Sequence, residues 1–260
     1  MSLFDFFKKK PQLNKYGWRP SLPDHRDLKA VHTPSSVPAS VDLRTTNLLP
    51  PIWNQGELGS CAAHASGAAY VYCRAKEKLP VWEPSRLYIY YNCRVIENTV
   101  STDAGCQLRD VVKGLVSKGA CNENRWPYVI SQFAVQPPAI CYQKGEQVEV
   151  TQYAAVTQSA DAMQNCLASG FPIIIGISVY ESFESAAVAQ TGIVPMPSTS
   201  EKCLGGHALL CVGYDQTKKT FLIRNSWGTD WGMAGYCEIP YDYILNPDLA
   251  DDFWVLQIVK

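Results

Sequence analysis

The amino-acid sequence predicts an α+β fold of two lobes, in which a mainly helical first half is followed by a mainly β second half. Between about residues 52 and 145 the apolar residues recur at helical spacing, whereas after about residue 146 short apolar runs are separated by turn residues. With 260 residues the chain can bury a core in one large domain or in two small lobes that share a cleft. We therefore expect a helical lobe near 52–145 and a β-rich lobe near 146–260.

The first 36 residues are predicted to form a leader that lies on the rest of the protein. No apolar period is sustained through them, and they are interrupted by Pro11, Pro20, Pro23 and Pro34. The first ten residues, MSLFDFFKKK, place apolar residues before the lysines, which is the reverse of a secretory signal. We expect no signal peptide in this chain. The compartment stays open between a secreted protein with a trimmed leader and a cytoplasmic one.

Three helices are predicted in the first half, after an apolar, strand-like stretch at 41–53. The run from Cys61 to Lys78 carries Ala, Tyr and Val at helical spacing and ends in charged residues before a proline. Further helices are expected at 85–97 and 108–119, the last of them closed by Gly119 as its C-cap.

The second half is predicted to consist mainly of short strands. They are expected at 148–156, 171–179, 207–215, 220–228 and 235–240, with a short helix at 161–170 and a hairpin turn at 215–219.

Composition and charge exclude some classes of partner. A net charge of −1 and a pI near 6.4 argue against nucleic acid or an anionic membrane found by electrostatics. The longest apolar run, FPIIIGISV, has the length of a strand rather than of a membrane span. If one of the ten cysteines is reserved for chemistry, nine remain, and an odd number cannot all pair within one chain.

Cys61 occupies an unusual place, at the first turn of the first predicted helix and six residues after Gln55 in the stretch QGELGSC. A thiol attacks a carbonyl carbon as the thiolate, so its pKa must fall well below the free value of about 8.5. A helix N-terminus and an imidazolium both lower a thiol pKa. His207, at the start of a predicted strand, is the candidate imidazole.

Four ordered segments of the chain resemble those of the papain-like cysteine peptidases. They read QG, GSC, GHALLCVGYD and NSWGTDWGMAGY. The resemblance runs from about Val37 to the C-terminus, and the leader YGWRPSLPDHRD is similar to short N-terminal segments of bacterial-type relatives. It implies a helical left lobe, a β-barrel-like right lobe and an active-site cleft between them. It also implies that a strand near 40–50 crosses to the β-rich lobe.

For the site, the resemblance implies a thioester acyl-enzyme on Cys61, with His207 as general base and general acid and Asn225 holding the imidazole. Gln55 and the backbone N–H of Cys61 would form the oxyanion hole. Trp227 would shield the contact between the imidazole and its amide partner from water. The residues expected along the substrate groove are Gly59, Ser60, Asp103, Ala104, Gly105, Gly206 and Trp227.

Several positions depart from the family pattern. Leu58 stands where many relatives carry a disulfide-bonded cysteine near the groove, so Cys106 is expected to be free or paired elsewhere. Ala62 replaces the tryptophan that commonly follows the nucleophile, and DAGC at 103–106 stands in place of a Gly-Gly pair.

Alternative interpretations exist for individual residues. Taken alone, His207 would be a satisfied core histidine. Cys203, His207 and Cys211 are spaced by four, which brings metal ligands together only on a helix, whereas the neighbouring residues favour a strand, so we expect no metal site. His64 has no place in the family pattern and is expected to be structural.

We therefore predict a leader at 1–36 and a peptidase domain at 37–260. The protein is expected to be a thiol hydrolase without a cofactor, an endopeptidase and a monomer, restrained as a zymogen by its own N-terminal segment in or near the cleft. Its partner would be a peptide or protein substrate, whose specificity the sequence does not give. The alternatives are an acyltransferase or isopeptidase with the same triad, or an inactive peptide-binding module, against which the complete set of site residues speaks.

Overall fold

The computed structural model describes residues 16–145 and 152–257. The α-helices are α1 (Cys61–Lys76), α2 (Arg86–Ile96), α3 (Leu108–Lys118), α4 (Ala139–Gly145), α5 (Ala160–Ala168), α6 (Ala186–Thr191) and α7 (Tyr241–Ile244). The strands are β1 (Trp18–Arg19), β2 (Ser40–Asp42), β3 (Cys106–Gln107), β4 (Gln152–Ala155), β5 (Ile173–Tyr180), β6 (Cys203–Asp215), β7 (Thr220–Arg224), β8 (Tyr236–Pro240) and β9 (Ala250–Gln257). The longer helices come first and the longer strands follow, which confirms the α+β prediction.

Helix α1 is the central helix of the protein. Alanine has the highest helix propensity and leaves room for neighbouring elements to approach, and α1 contains it repeatedly. All residues from Cys61 to Arg74 are buried. The helix contacts β6 on one side and α2 on another. The first turn of α1 therefore lies inside the protein, between the helices and the sheet.

The helices that pack around α1 begin and end at residues with a clear local role. The Ser85 side chain accepts a hydrogen bond of 3.1 Å from Tyr88 N and so caps the start of α2. Helix α3 buries one apolar face and ends at Gly119, whose φ of +66° suits glycine, as predicted. Within the described ranges, no helix has both the length and the apolarity needed to span a bilayer.

The strands of the second half form a seven-stranded sheet with the order β4-β9-β5-β6-β7-β8, and β2 pairs with β6 outside this path. Among the described strands this sheet is not closed into a barrel, because the two edge strands β4 and β8 do not pair with each other. Each edge is instead covered by a single bridge from a loop, Lys29 to Ala155 on β4 and Ile193 to Glu238 on β8.

Two short strands differ from the expectations. The stretch expected as a strand near 40–50 is extended only over Ser40–Asp42 and then turns into a 3-10 helix at Leu43–Thr46, because Asp42 accepts from Arg44 N and caps that helix. Strand β3 was not anticipated, since its pairing partner β1 lies far away in the sequence and runs parallel to it. Of the strand expected at 148–156, residues 148–151 lie outside the described part.

Candidate active site

Cys61 is the first residue of α1 and is completely buried. A tight turn precedes it, in which Ser60 N donates to the carbonyl oxygen of Leu58 at 2.7 Å. Burial raises the pKa of the Cys61 thiol to about 11, although backbone N–H groups of Ala208 and Gly17 act in the opposite direction. The expected depression of this pKa is therefore not met in the described form, because the thiol has no access to solvent.

His207 lies on β6 and contacts Asn225, which directly follows β7. The distance from His207 Nε2 to Asn225 Oδ1 is 2.8 Å, and the same oxygen accepts from the backbone N–H of Ser226 at 2.8 Å. The backbone donor fixes the amide with its oxygen toward the ring, so His207 Nε2 carries the proton and Nδ1 keeps its lone pair. Within residues 16–145 and 152–257, His207 Nδ1 has no hydrogen-bond partner.

Burial lowers the pKa of His207 to about 4, and the hydrogen bond to Asn225 raises it only in part. The imidazole ring stacks on Trp227, with 4.9 Å between the ring centroids and 27° between the planes. Trp227 thus covers one face of the imidazole ring. In this form both the imidazole and the Cys61 thiol are neutral at pH 7.

Gln55 connects the loop before α1 to the segment after β7. Its Nε2 donates to the carbonyl oxygen of Leu58 at 2.9 Å, and its Oε1 accepts from Ser226 Oγ at 2.7 Å. The backbone N–H of Gln55 also donates to the carbonyl oxygen of Ser226 at 2.9 Å. The side-chain amide is therefore held from both ends, next to the turn that leads into Cys61.

Two of the residues expected along the groove direct their side chains to other parts of the protein. Asp103 accepts from the backbone N–H of Gly59 at 3.0 Å and from the hydroxyl of Tyr90 at 2.5 Å. Ser60 Oγ lies 2.6 Å from the hydroxyl of Tyr128. These side chains hold the loop before α1 in place.

Residues 16–18 lie against the predicted site. The carbonyl oxygen of Gly17 accepts a 2.7 Å hydrogen bond from Cys106 N, which begins the parallel pairing of β1 with β3. A Cβ on Gly17 would come within 1.8 Å of the carbonyl oxygen of Gly59, and one on Gly105 within 2.1 Å of the carbonyl oxygen of Gly17. Only glycine permits these backbones to approach so closely.

Side chains of the same segment extend on both sides of Gly17. The ring of Tyr16 lies 6.1 Å from His207 and 6.4 Å from Trp227, measured between centroids. On the other side, a Cβ on Gly206 would come within 2.3 Å of the carbonyl oxygen of Trp18. Residues 16–18 thus lie against Cys61, His207, Gly59, Gly105, Gly206 and Trp227. Asn225 is joined to this group through His207, and Gln55 through Ser226, the residue that follows Asn225. Ala104 is the chain neighbour of Gly105.

The sequence did not single out Asp252, a buried carboxylate in β9. Its Oδ2 accepts from Trp18 Nε1 at 3.2 Å and from Ser21 Oγ at 2.8 Å, and its Oδ1 accepts from Trp254 Nε1 at 2.7 Å. Its φ of +68° is unusual for a residue with a Cβ. Two adjacent acidic residues in an otherwise mainly apolar strand, ADDFWVLQ, are the only signal that the sequence carries for this role.

The ten cysteines, all within the described ranges, are free thiols. Cys203 and Cys211 lie on the same strand as His207, where four residues span about 13 Å. That separation is too large for the three side chains to share one metal ion. Cys106 forms no disulfide bond. Its sulfur and the ligand atoms of Cys93 and Glu97 lie within 4.8 Å of one another.

Comparison with known proteins decides the family. The model of the papain family of cysteine proteases matches residues 37–248. The chain belongs to this papain family. The resemblance seen in the four motifs is thereby confirmed, and with it the prediction of a cysteine peptidase that acts on a peptide or protein substrate.

Individual relatives of this papain-family protein come from different kinds of organism. Xylellain, a cysteine protease from Xylella fastidiosa, is 38% identical with a TM-score of 0.89, and the match covers 97% of this chain and 99% of xylellain. An uncharacterized peptidase C1-like protein of Acanthamoeba polyphaga mimivirus is 37% identical over 94% of this chain and 87% of its own length. Procathepsin L of Mus musculus is 28% identical over 79% of this chain and 61% of its own length. Relatives from a bacterium, a virus and a mammal leave the bacterial-type prediction undecided.

Proposed function

We propose that this papain-family peptidase is an endopeptidase that forms a thioester on Cys61 and that is restrained by its own N-terminal segment. The observation that carries the proposal is the hydrogen bond between Gly17 O and Cys106 N, together with the approach of Gly17 to Gly59. A chain that approaches the predicted nucleophile this closely excludes a peptide substrate from the same place.

In the proposed mechanism, the thiol of Cys61 gives its proton to Nδ1 of His207 once the segment has left the groove. The thiolate attacks the carbonyl carbon of the scissile bond, and the oxyanion accepts from the backbone N–H of Cys61 and from Gln55 Nε2. Elsewhere one such donor lowers the barrier by roughly 2.7–4 kcal/mol. The protonated His207 then protonates the leaving amine, which leaves the acyl group on sulfur.

Deacylation uses the same groups in reverse. His207 Nδ1 accepts a proton from water, whose oxygen attacks the thioester carbon and releases the acid and the thiol. Asn225 keeps the ring oriented throughout, because its oxygen holds Nε2–H. A neutral amide suits this position, since the imidazolium has the thiolate as its counter-charge.

Endopeptidase activity is proposed because residues 16–18 pass Cys61 and make contacts on both sides of it. Tyr16 lies toward Trp227 on one side, and Trp18 lies against Gly176 and Gly206 on the other. A substrate that follows this path has residues on both sides of the scissile bond, as internal cleavage requires.

The restraint is proposed to depend on charged and polar anchors along the segment. Arg19 pairs with Glu97, and Trp18 and Ser21 both donate to Asp252. Further along, Asp27 forms an ion pair of 2.5 Å with Arg109. Together these contacts attach residues 18–27 to the end of α2, to β9 and to α3.

The proposal is tested by digestion of a peptide blocked at both ends, with products identified by mass spectrometry. We expect cleavage at internal bonds by the wild type or by Trp18→Ala, and none by Cys61→Ala. Removal of single terminal residues from unblocked peptides, with blocked peptides left intact, would contradict the endopeptidase proposal. Transfer of the acyl group to an added amine in preference to water would favour the acyltransferase alternative.

A further inference from the structure

A small buried cavity lies behind the hydrogen-bonded pair of His207 and Asn225, between α1 and strands β6 and β7. Its volume is about 10 Å³, which is room for about one water molecule. Its polar walls are formed in part by His64 and Asn225, each only 2% exposed. The other lining residues are Trp53, Ala65, Ala208, Leu210, Arg224 and Ser226.

The tautomer of His64 follows from its partner. Nδ1 lies 3.0 Å from the carbonyl oxygen of Ser60, which can only accept, and 3.3 Å from Ser60 Oγ. The hydroxyl of Tyr128 donates to the carbonyl oxygen of Gln55, so Ser60 Oγ donates to Tyr128. Nδ1 of His64 therefore carries its own proton. Burial lowers the pKa of His64 to about 3, so the ring is neutral at pH 7. Nε2 therefore presents a lone pair, and it has no hydrogen-bond partner in the described part of the chain.

Asn225 presents the complementary group. Its oxygen is used by Ser226 N and His207 Nε2, so its Nδ2 faces away from the ring. Within the described ranges Nδ2 also has no hydrogen-bond partner. A buried polar group left unpaired costs about 1–3 kcal/mol, so an unpaired donor and an unpaired acceptor that line one cavity call for a shared partner.

We propose that the cavity is a binding site for one ordered water molecule, which accepts a hydrogen bond from Asn225 Nδ2 and donates one to His64 Nε2. Donors and acceptors then alternate along one chain. His207 Nε2–H donates to Asn225 Oδ1, Asn225 Nδ2–H to the water, the water to His64 Nε2, and His64 Nδ1–H to Ser60 O. The chain thus connects the imidazole to the residue that precedes Cys61.

This site makes His64 a positioning residue rather than a catalytic one. The water holds Asn225 by its second end, so the amide keeps its oxygen toward His207 and the ring keeps its lone pair on Nδ1. This positioning role rests on the proposed function, because it is in the proposed mechanism that the lone pair of His207 Nδ1 accepts the proton of Cys61. The water site itself does not depend on any activity.

The first arm of the test is a crystal structure of the wild-type protein at about 1.5 Å resolution. We expect electron density for one water within about 2.7–3.2 Å of both His64 Nε2 and Asn225 Nδ2. An empty cavity, or a water that contacts only one of the two atoms, would overturn the proposal. This arm decides the water site even if the protein proves to have no peptidase activity.

The second arm compares His64→Leu, which removes the acceptor, with His64→Gln, which restores an amide oxygen on a side chain of similar length. Ser66→Ala is the control, since Ser66 is buried in the same helix but does not line the cavity. In His64→Leu we expect kcat to fall about tenfold at unchanged KM, and the NMR signal of His207 Nε2–H to exchange with solvent about tenfold faster. His64→Gln should recover most of both.

A structural role alone would lower the stability of His64→Leu and leave kcat and the His207 signal unchanged, which would overturn the positioning role. If His64→Leu does not fold, the His64→Gln variant decides. The proposal is supported if this variant keeps both the water molecule and the NMR signal of His207. It is contradicted if the variant keeps the water molecule but loses the His207 signal. Loss of activity in wild type with a normal His207 signal would count against the proposed function and not against this site.

Discussion

The indole ring of Trp18 lies directly against the backbone of Gly176, where a Cβ atom would come within 2.0 Å of the ring. Gly176 is in the middle of β5, a strand otherwise rich in isoleucine, so the missing side chain opens a hollow in an apolar surface. The carbonyl oxygen of Trp18 approaches Gly206 on the neighbouring strand in the same way. Two glycines on paired strands therefore form the hollow that holds the tryptophan.

We predict that Gly176→Val expels Trp18 from this hollow. A valine suits a β-strand, but its side chain would overlap the indole, so the segment must leave and the Cys61 thiol becomes accessible. Alkylation of Cys61 by iodoacetamide should accelerate about tenfold or more. Peptides that would place an aromatic side chain in the hollow should be cleaved less well than peptides that would place a small one there. Gly114→Ala is the control, since a Cβ there meets no atom closer than 3.8 Å.

Asp252→Asn should weaken the hold on the leader. The carboxylate accepts from Trp18 Nε1 and from both the backbone N–H and the hydroxyl of Ser21, and bonds to a charged acceptor are each worth about 1.5–3 kcal/mol. We expect faster alkylation of Cys61 and a lower thermal midpoint. Asp251→Asn, at the preceding position on the strand, should change the alkylation rate and the thermal midpoint less. Equal effects of the two substitutions would mean that Asp252 does not anchor the segment.

Ser226→Ala tests the support of the proposed oxyanion hole. Ser226 Oγ donates to Gln55 Oε1 at 2.7 Å, so its loss removes one of the bonds that orient the amide beside the turn before Cys61. We expect kcat to fall about tenfold while KM and the rate of Cys61 alkylation stay within twofold, because the thiol itself is untouched. A fall in alkylation rate together with kcat would show that the substitution disturbs the nucleophile instead.

The two buried histidines should make the folded protein sensitive to acid. The pKa of His207 is lowered to about 4 and that of His64 to about 3, both below the unfolded value of about 6.5. Between the folded and the unfolded pKa values the unfolded chain binds more protons than the folded one. The contribution of the two histidines to the free energy of unfolding is therefore fully present above about pH 6.5 and is lost as the pH falls toward 4. Urea unfolding from pH 4 to 7 should show this slope, and His64→Gln should reduce it. An unchanged slope would exclude His64 as a contributor.

The candidate catalytic residues could be located from the sequence because their surroundings are local. Cys61 follows a Gly-Ser turn at a helix start, and His207 and Asn225 lie at the two ends of a recognisable hairpin. The contacts of Trp18 with Asp252 could not be predicted, because they join positions far apart in the chain and depend on a parallel pairing of two-residue strands. No local pattern encodes such a pairing.

Whether the sheet of the β-rich lobe closes into a barrel could not be predicted from local sequence patterns either. Each strand of the second half could be located from its own apolar run, but whether the edges of a sheet close depends on twist and on what covers them. Here Lys29 pairs with the edge strand β4 and Ile193 with the edge strand β8, and both residues lie in loops that show no strand pattern. The water site behind Asn225 was missed for a related reason, since the complementary unpaired atoms of His64 and Asn225 are visible only in three dimensions.

The central claim is that Cys61 is a nucleophile covered by its own N-terminal segment. The most direct measurement is the rate of labelling by an epoxide inhibitor of the E-64 type, followed by intact-mass spectrometry on wild type, Trp18→Ala and Cys61→Ala. Leu22→Ala serves as the control, since Leu22 lies in the same segment with its side chain 76% exposed. We predict one adduct that requires Cys61, at least about tenfold faster in Trp18→Ala than in wild type or Leu22→Ala. Equal rates in all folded forms, or an adduct that persists in Cys61→Ala, would contradict the account.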